Sequence, residues 1–339
     1  MKVLVTGGCG YIGSHTLTDL IENGYSVVSV DNLSNSTEAA LDGVEKITGV
    51  RVQNYRTDLT DLAETRKIFT DHPDIKGIIH FAAYKSVGDS VSDPLGYFHN
   101  NLNSLLNMLT CAEEYDAPYF IFSSSCSVYG NSTALPVTED TPFEEAESPY
   151  ARTKQMGEQI IRDFAKRDSN VRAVLLRYFN PAGAHESAHL GEAPSNKANN
   201  LVPVITETAI GKRDGMTVFG ADYNTRDGSC VRDYIHVMDI ANAHVKALEY
   251  LAEGRNETKA DVFNLGIGEG VTVLEAINAF EKTADTKLNY EIGPRRAGDV
   301  VAIYADPKKS MNALRWQPRR DIEEIMATAW KWEQTRSKA

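Results

Sequence analysis

Val3-Leu-Val-Thr-Gly7-Gly-Cys-Gly10-Tyr-Ile-Gly13-Ser14 is the stretch that decides the fold. Residues 2–5 are rich in β-branched and apolar types and read as a buried parallel strand. Gly7, Gly10 and Gly13 follow at a spacing of three, and residues 14–22 then carry apolar side chains at helical intervals. A strand-to-helix turn of this kind exposes backbone N–H groups at a helix N-terminus, where the aligned peptide dipoles favour an anion. Gly7 allows the tight turn, Gly10 lets the backbone approach a pyrophosphate, and Gly13 lets the helix lie close to its strand. Alone, three glycines would fit an ordinary turn as readily as a ligand site. Their place after a first strand, with Asp31 closing the next strand at 26–30, points to a dinucleotide. A carboxylate there accepts hydrogen bonds from an adenosine ribose and repels a 2′-phosphate. No Arg or Lys occupies 32–36 to offset that repulsion, so NAD is the expected cofactor.

Working outward, strands read at 2–5, 26–30, 50–56, 77–80, 119–123 and 172–178, with helical patterns between them, the longest at 93–115 and 149–166. This alternation predicts an α/β fold with a Rossmann-type, doubly wound parallel sheet. After Tyr178 the rhythm breaks. Residues 180–200 mix Pro, Gly and His without periodicity and read as a long functional loop. A helix at 201–210, a short strand at 216–219, a strand leading into a helix over 232–251, and a strand at 261–265 returning to the main sheet follow. Further helices are expected after Thr272 and at 321–333. The division this suggests is an NAD-binding domain at 1–180, with returning segments near 236–270. Residues 181–339 would then mainly build a smaller C-terminal α/β substrate-binding lobe.

Composition narrows the function classes. The chain has 339 residues and a formal net charge of −12, which argues against a nucleic-acid partner. No apolar run approaches the ~18 residues of a membrane span. The first residues form a strand, so no signal peptide is expected. Cys9, Cys111, Cys126 and Cys230 lie far apart without metal-ligand spacing; they read as reduced thiols of a cytoplasmic protein, with no metal site.

Ser148-Pro-Tyr150-Ala-Arg-Thr-Lys154 is the second informative motif. Ser148 suits an N-cap and Pro149 the first helical position, so a helix begins where the motif does. Tyr150 and Lys154 then stand one turn apart on one face. A nearby ammonium and a cationic nicotinamide ring would both favour phenolate over a phenol of ordinary pKa ~10. Residues 120–125 form a strand ending in three hydroxyls at the sheet edge where ligands bind. Ser125 is expected opposite Tyr150, with Ser123 and Ser124 satisfying backbone groups.

With the glycine turn, the serine and Tyr-x-x-x-Lys in this order, the chain resembles the extended short-chain dehydrogenase/reductase family over nearly its full length. Within it the match is closest to the branch that epimerises UDP-hexoses at carbon 4. The resembling stretches include Asp31-Asn-Leu-Ser-Asn-Ser36, Asp58-Leu59, His80-Phe-Ala-Ala-Tyr-Lys85, Ser123-Ser-Ser-Cys-Ser-Val-Tyr-Gly130 and Arg177-Tyr-Phe-Asn-Pro181. Further on come Asn200-Leu201, Arg232-Asp-Tyr-Ile-His236 and Gly293-Pro-Arg-Arg-Ala-Gly-Asp299.

Carried onto these positions, the resemblance implies that Tyr150, Lys154 and Ser125 are catalytic. Gly7, Gly10, Tyr11, Ile12 and Gly13 would meet the NAD pyrophosphate, while Asp31, Asn32, Leu33, Ser34, Asn35 and Ser36 surround the adenosine ribose. Asp58 and Leu59 would take the adenine. Phe81, Ala82, Ala83, Tyr84, Lys85, Asn100, Tyr178 and Phe179 would line the rest of the cofactor site. For the UDP-sugar substrate it implies Asn180, Asn200 and Leu201, then Thr217, Val218 and Phe219 at the uracil. Arg232 and Arg296 would clamp the phosphates, Asp299 would bond the uridine ribose, and Ile303 would border the hexose.

The implied activity interconverts UDP-glucose and UDP-galactose, a step of galactose metabolism, through a transient 4-keto sugar. An N-acetylhexosamine epimerase, an oxidoreductase that releases NADH and a catalytically silent dinucleotide sensor are the alternatives. Sugar-nucleotide 4,6-dehydratases of the family place an Asp-Glu pair after the catalytic hydroxyl; Cys126 and Ser127 cannot supply that acid and base. Ile303 is bulkier than the small residues that admit N-acetyl sugars, favouring the non-acetylated pair. The resemblance also implies a homodimer formed by the helices at 93–115 and 149–166.

Overall fold

The computed structural model describes residues 1–167, 169–194, 198–296 and 299–338; Ala297 and Gly298 of the Gly293–Asp299 motif lie outside them. Seven parallel strands make the central sheet. They are β1 (Lys2–Thr6), β2 (Ser26–Val30), β3 (Asn54–Tyr55), β4 (Ile75–His80), β5 (Tyr119–Ser125), β6 (Arg172–Tyr178) and the strand Ala260–Leu265. Their spatial order is Ala260–Leu265, β6, β5, β4, β1, β2, β3. The chain thus reverses direction between β1 and β4, and a crevice opens there beyond the carboxyl ends of the strands.

Helices cover both faces: α1 (Tyr11–Glu22), α2 (Ala39–Thr48), α3 (Leu62–Asp71), α4 (Val87–Ser92), α5 (Pro94–Glu114) and α6 (Pro149–Ala165). One apolar core, containing Val3, Val5, Leu17, Ile121, Leu176 and Leu248, joins the sheet to α1 and the helix Val237–Ala252. The opposite core, with Leu4, Ile78, Phe120, Leu175, Met108 and Ile161, seats α5 and α6. Alternate residues of β1, β5 and β6 therefore face opposite ways, as the two-residue side-chain period requires.

The remaining chain forms a smaller α/β layer. Met216–Phe219 pairs with Tyr290–Gly293, and the helices Leu201–Ala209, Val273–Ala284 and Ile322–Arg336 pack around a separate core that includes Val202, Val218, Phe280 and Met326. The helix Val237–Ala252 and strand Ala260–Leu265 return to the central sheet, as the sequence suggests.

Two expectations need correction. The long segment at 180–200 is not irregular throughout: Asn180–Ala182 is a strand paired with Tyr234–His236, a partner too distant for local pattern to reveal. The strand expected at 50–56 shrinks to Asn54–Tyr55 at the edge of the sheet, bonded only to β2. Among the described residues no helix is long and apolar enough to cross a membrane. All four cysteines are free.

Candidate active site

The glycine turn opens as the sequence requires. Gly7 adopts a left-handed φ of +70°. A Cβ on Gly13 would lie 2.2 Å from the Gly7 carbonyl oxygen and 2.9 Å from the Gly8 Cα, so α1 can lie this close to its strand only with glycine there. The helix N-terminus itself is bare. Asp61, Ser86, Asp93 and Ser148 cap α3, α4, α5 and α6 with their side chains, whereas no side chain caps α1. Among the described residues the amides of Tyr11 and Ile12 find no backbone acceptor outside the helix. A phosphate would satisfy these groups and the dipole together.

Asp31 closes β2 beside this turn. Its carboxylate accepts from Cys9 N at 3.1 Å, Leu33 N at 2.9 Å and Ser36 Oγ at 2.8 Å. It is only partly exposed, while Asn32, Ser34 and Asn35 project to solvent. Asp58 folds back on Thr60 and is exposed; Leu59 is buried, so an adenine there would meet its main chain and the Asp58 carboxylate.

The segment after β4 borders the same crevice. Phe81 N donates to Thr6 O, and Ala82 N donates to Thr6 Oγ1. Asn101, which the sequence reading missed, is buried and accepts from Tyr84 N and Asn100 Nδ2 while donating to Tyr84 O and Thr153 Oγ1. It ties the Tyr84 main chain and Asn100 to Thr153 of α6. Tyr178 lies beneath the crevice: its hydroxyl meets His244 Nε2 at 2.6 Å, and the His244 ring packs 4.7 Å from that of Phe81. Phe179 is buried beside Ile303 and Val128.

Ser125 and Tyr150 meet at the end of β5. Ser148 caps α6, accepting from Ala151 N at 3.1 Å, with Pro149 in the first turn. Lys154 comes one turn after Tyr150 and sets its ammonium 5.9 Å from the Tyr150 ring centre. That ammonium donates to the Ser123 carbonyl at 2.6 Å and lies 5.0 Å from the Phe122 ring centre. Burial pulls Lys154 down to about 8, opposed by Glu158. Burial pushes the Tyr150 phenol up to about 12, opposed by the neighbouring Ser125 hydroxyl. The chain by itself therefore favours phenol, and the expected phenolate draws on positive charge from a bound ligand as well as on Lys154. Ser125 Oγ accepts from Ser127 N at 3.2 Å, which leaves its own proton free to donate. Ser124 also departs from expectation, donating to the Glu158 side chain and not to the backbone.

A positive cluster lies across the crevice. Arg232 Nη1 donates to the Val231 and Val300 carbonyls. Asp299 joins the two expected clamps, 3.5 Å from Arg232 and 2.8 Å from Arg296. The Arg296 guanidinium covers the exposed Phe219 ring at 5.5 Å, with Thr217 on the same strand. Ile303 pairs with Arg232 in the adjoining strand and is buried. Val218 is a core residue, so any ligand contact from it would run through its main chain. Asn180 N donates to the Asp233 carbonyl. Asp233 takes amides of Ile267, Gly268 and Ala305, which fixes the strand carrying Arg232. Asn200 stands at the start of the helix whose first residue is Leu201. It donates to Glu192 at 2.7 Å, and Lys85 approaches the same carboxylate at 3.7 Å. Glu192, also missed, thus links the two halves of the crevice. Desolvation of the partly buried Cys126 pushes its thiol up to about 12, which makes it a poor nucleophile. Among the described residues no group of His, Cys, Asp and Glu is placed to hold a metal ion.

A turn of this shape followed by a Ser–Tyr–Lys set at the sheet edge defines a dinucleotide-dependent dehydrogenase/reductase. The family model described as GDP-mannose 4,6 dehydratase matches residues 4–329. The chain is 46% identical to UDP-glucose 4-epimerase of Bacillus subtilis over 333 residues, 98% of this chain and 97% of that protein. It is 47% identical to UDP-glucose 4-epimerase uge1 of Schizosaccharomyces pombe over 336 residues, 98% and 94% of the two. UDP-glucose-4-epimerase from Stenotrophomonas maltophila, solved with NAD and formylated UDP-arabinopyranose, superposes with a TM-score of 0.96 at 40% identity, covering 100% and 99% of the chains. That from Bifidobacterium longum, solved with NAD+ and UDP, gives 0.94 at 43%, covering 99% of each. The chain belongs to the extended short-chain dehydrogenase/reductase family, within the group that contains these UDP-glucose 4-epimerases.

Replacing Gly13 by Ala tests the turn. The added methyl meets only backbone atoms, and forced overpacking of this kind costs about 1–3 kcal/mol. The expected outcome is a lower melting temperature and loss of co-purifying dinucleotide; full occupancy at wild-type stability would contradict it.

Proposed function

We propose that the protein is a UDP-glucose 4-epimerase that interconverts UDP-galactose and UDP-glucose with NAD as a retained cofactor. The observation that carries this reading is the meeting of Ser125 and Tyr150, backed by Lys154, at a strand end beside the uncapped α1 turn, in a chain matched end to end by epimerases. The bare amides, the cradle that a Cβ would fill and Asp31 at the tip of β2 fit NAD. Residues 1–180, with the returning segments near 236–270, would hold it, and the remainder of 181–339 would hold the UDP-sugar.

When bound, NAD supplies a reversible acceptor for the hydrogen on sugar carbon 4. Tyr150, ionised under the combined positive charge of Lys154 and the ligand, removes the proton of the 4-hydroxyl. Ser125 donates its free proton to the same oxygen and holds it in place. The 4-keto sugar then turns within the site. Arg232 and Arg296 release Asp299 to grip the diphosphate, and binding energy spent on UDP leaves the hexose loosely held. Tyr150 returns the proton once the other face of carbon 4 is presented. Cys126 and Ser127, at the positions after Ser125, offer no acid–base pair for dehydration. Ile303 fills the wall beside Phe179, which favours hexoses without an N-acetyl group.

The apolar residues Val87, Val91, Leu95 and Leu106 are exposed on α4 and α5. They support a homodimer built on α5 and α6, and the free thiols suit the reducing cytosol. The test is incubation of the purified protein with UDP-galactose and no added cofactor. UDP-glucose should accumulate to equilibrium; a strict requirement for added NAD or NADH would refute the reading.

A further inference from the structure

Tyr150, Lys154 and Glu158 recur every fourth residue of α6 and line one stripe of the helix. Glu158 is fully buried one turn beyond Lys154. A carboxylate at that depth needs a full set of donors, and here they come from two strands. The β5–β6 ladder sets Ser124 opposite Arg177, and both reach Glu158. Ser124 Oγ donates to Oε1 at 2.5 Å, and Arg177 donates through Nε and Nη2 to Oε1 and Oε2 at 2.8 and 2.7 Å. Arg177 is in turn held by the Tyr129 hydroxyl and the Glu139 carbonyl. Flanking Ser124 are Ser123, whose carbonyl receives the Lys154 ammonium, and Ser125, which meets Tyr150. One carboxylate thus clamps the strand end bearing the serines to the helix bearing the tyrosine and lysine.

We propose that Glu158 is a positioning residue for the epimerisation: locked by Ser124 and Arg177, it fixes α6 against the end of β5 and keeps the Lys154 ammonium charged beside Tyr150. This inference rests on the epimerase reading above. Lys154 faces Tyr150 and Glu158 on its own helix, His80 from β4, and the Phe122 ring with the Ser123 carbonyl from β5. Around Glu158 stand Arg177 from β6 and Arg162 on α6, the latter at 3.9 Å. Burial, with a contribution from the Lys154 charge, holds His80 down at about 3 and so neutral. Burial likewise weakens the Lys154 ammonium, and Glu158 opposes it. Removing the Glu158 charge therefore drives Lys154 lower, and the alkaline limb of kcat follows it.

The test uses the purified full chain and three variants: Glu158→Gln, the double Glu158→Gln/Arg177→Met, and Ser124→Ala. For each, the pH profile of kcat is measured with UDP-galactose and no added cofactor, and the Lys154 amine is titrated by NMR on lysine-labelled protein. Glu158→Gln should show the Lys154 midpoint and the alkaline limb shifted down by about one pH unit, and the double variant, which removes the Arg177 cation as well, should show a smaller downward shift, with KM for UDP-galactose within about twofold of wild type in both. Ser124→Ala, which retains both charges, should lose several-fold in kcat with its limb unmoved. The double variant removes the cation that the single one orphans, and so carries the test should the single fail to fold. If neither folds, Ser124→Ala decides. Unshifted titrations in a folded Gln variant, or undiminished kcat in Ser124→Ala, would overturn the proposal. A wild-type protein without epimerase activity would instead refute the function, and the Lys154 titration would still judge the link to Glu158.

Discussion

Tyr150→Phe is expected to lower kcat by ~10²–10⁴-fold, the usual contribution of a positioned acid–base group, while KM for the UDP-sugar changes little. The phenol stands beside Ser125, where it can exchange a proton with the reacting hydroxyl. Its neighbours are organised around it: Ser125 stands beside it, and the Lys154 ammonium is fixed nearby by the Ser123 carbonyl. The loss corresponds to about 3–5 kcal/mol of transition-state stabilisation. Deleting one oxygen leaves α6 capped by Ser148 and the arginine cluster untouched, so folding and nucleotide affinity should persist. Steady-state kinetics on variant protein of verified secondary structure checks this, and turnover within tenfold of wild type would exclude the assigned role.

The second large effect is acid lability. His15 and His244 are buried and pulled down by that burial from 6.5 to about 4; His80 and His236 fall to about 3. Their hydrogen bonds agree. His236 Nδ1 accepts from Met238 N, and His244 Nδ1 donates to the Ile240 carbonyl, which leaves Nε2 to accept from Tyr178. Each ring is thus neutral in the folded state, and the unfolded chain binds more protons below pH 6.5. Stability is therefore fully present above about pH 6.5 and is lost as pH falls toward 4. One depressed histidine accounts for about 3 kcal/mol across that window, and two already approach the whole stability of an ordinary domain. Melting temperature should be level above pH 7 and fall steeply between pH 6 and 4. A flat profile across that interval would show that these rings are protonated without cost.

The legible parts of the molecule were those encoded locally. The glycine turn, the capped start of α6 and the strands 26–30 and 172–178 each carry their instructions within a few residues, and each was found where the pattern put it. What the sequence hid depends on distant partners. The strand Asn180–Ala182 exists because Tyr234–His236 lies alongside it, and α6 gives no sign that Glu158 would face Arg177 across β6. Asn101 and Glu192 carry no motif; they matter because they join segments far apart in the chain. Side-chain direction is equally hidden from the sequence: Tyr178 packs beneath the crevice, and Val218 packs into the separate core of the smaller layer. Nor is the ionisation of Tyr150 set by the chain alone: burial raises its phenol, and the expected phenolate draws on a bound cationic ligand as well as on Lys154.

The most direct test of the central claim is a deuterium-labelling experiment. UDP-galactose carrying deuterium at carbon 4 is incubated with the purified protein in ordinary water, without added cofactor, and the UDP-glucose formed is analysed by NMR and mass spectrometry. Oxidation and re-reduction within one closed site, with Tyr150 exchanging only the hydroxyl proton, predicts product that keeps its deuterium at carbon 4. Product in which that position has exchanged with solvent hydrogen would contradict it.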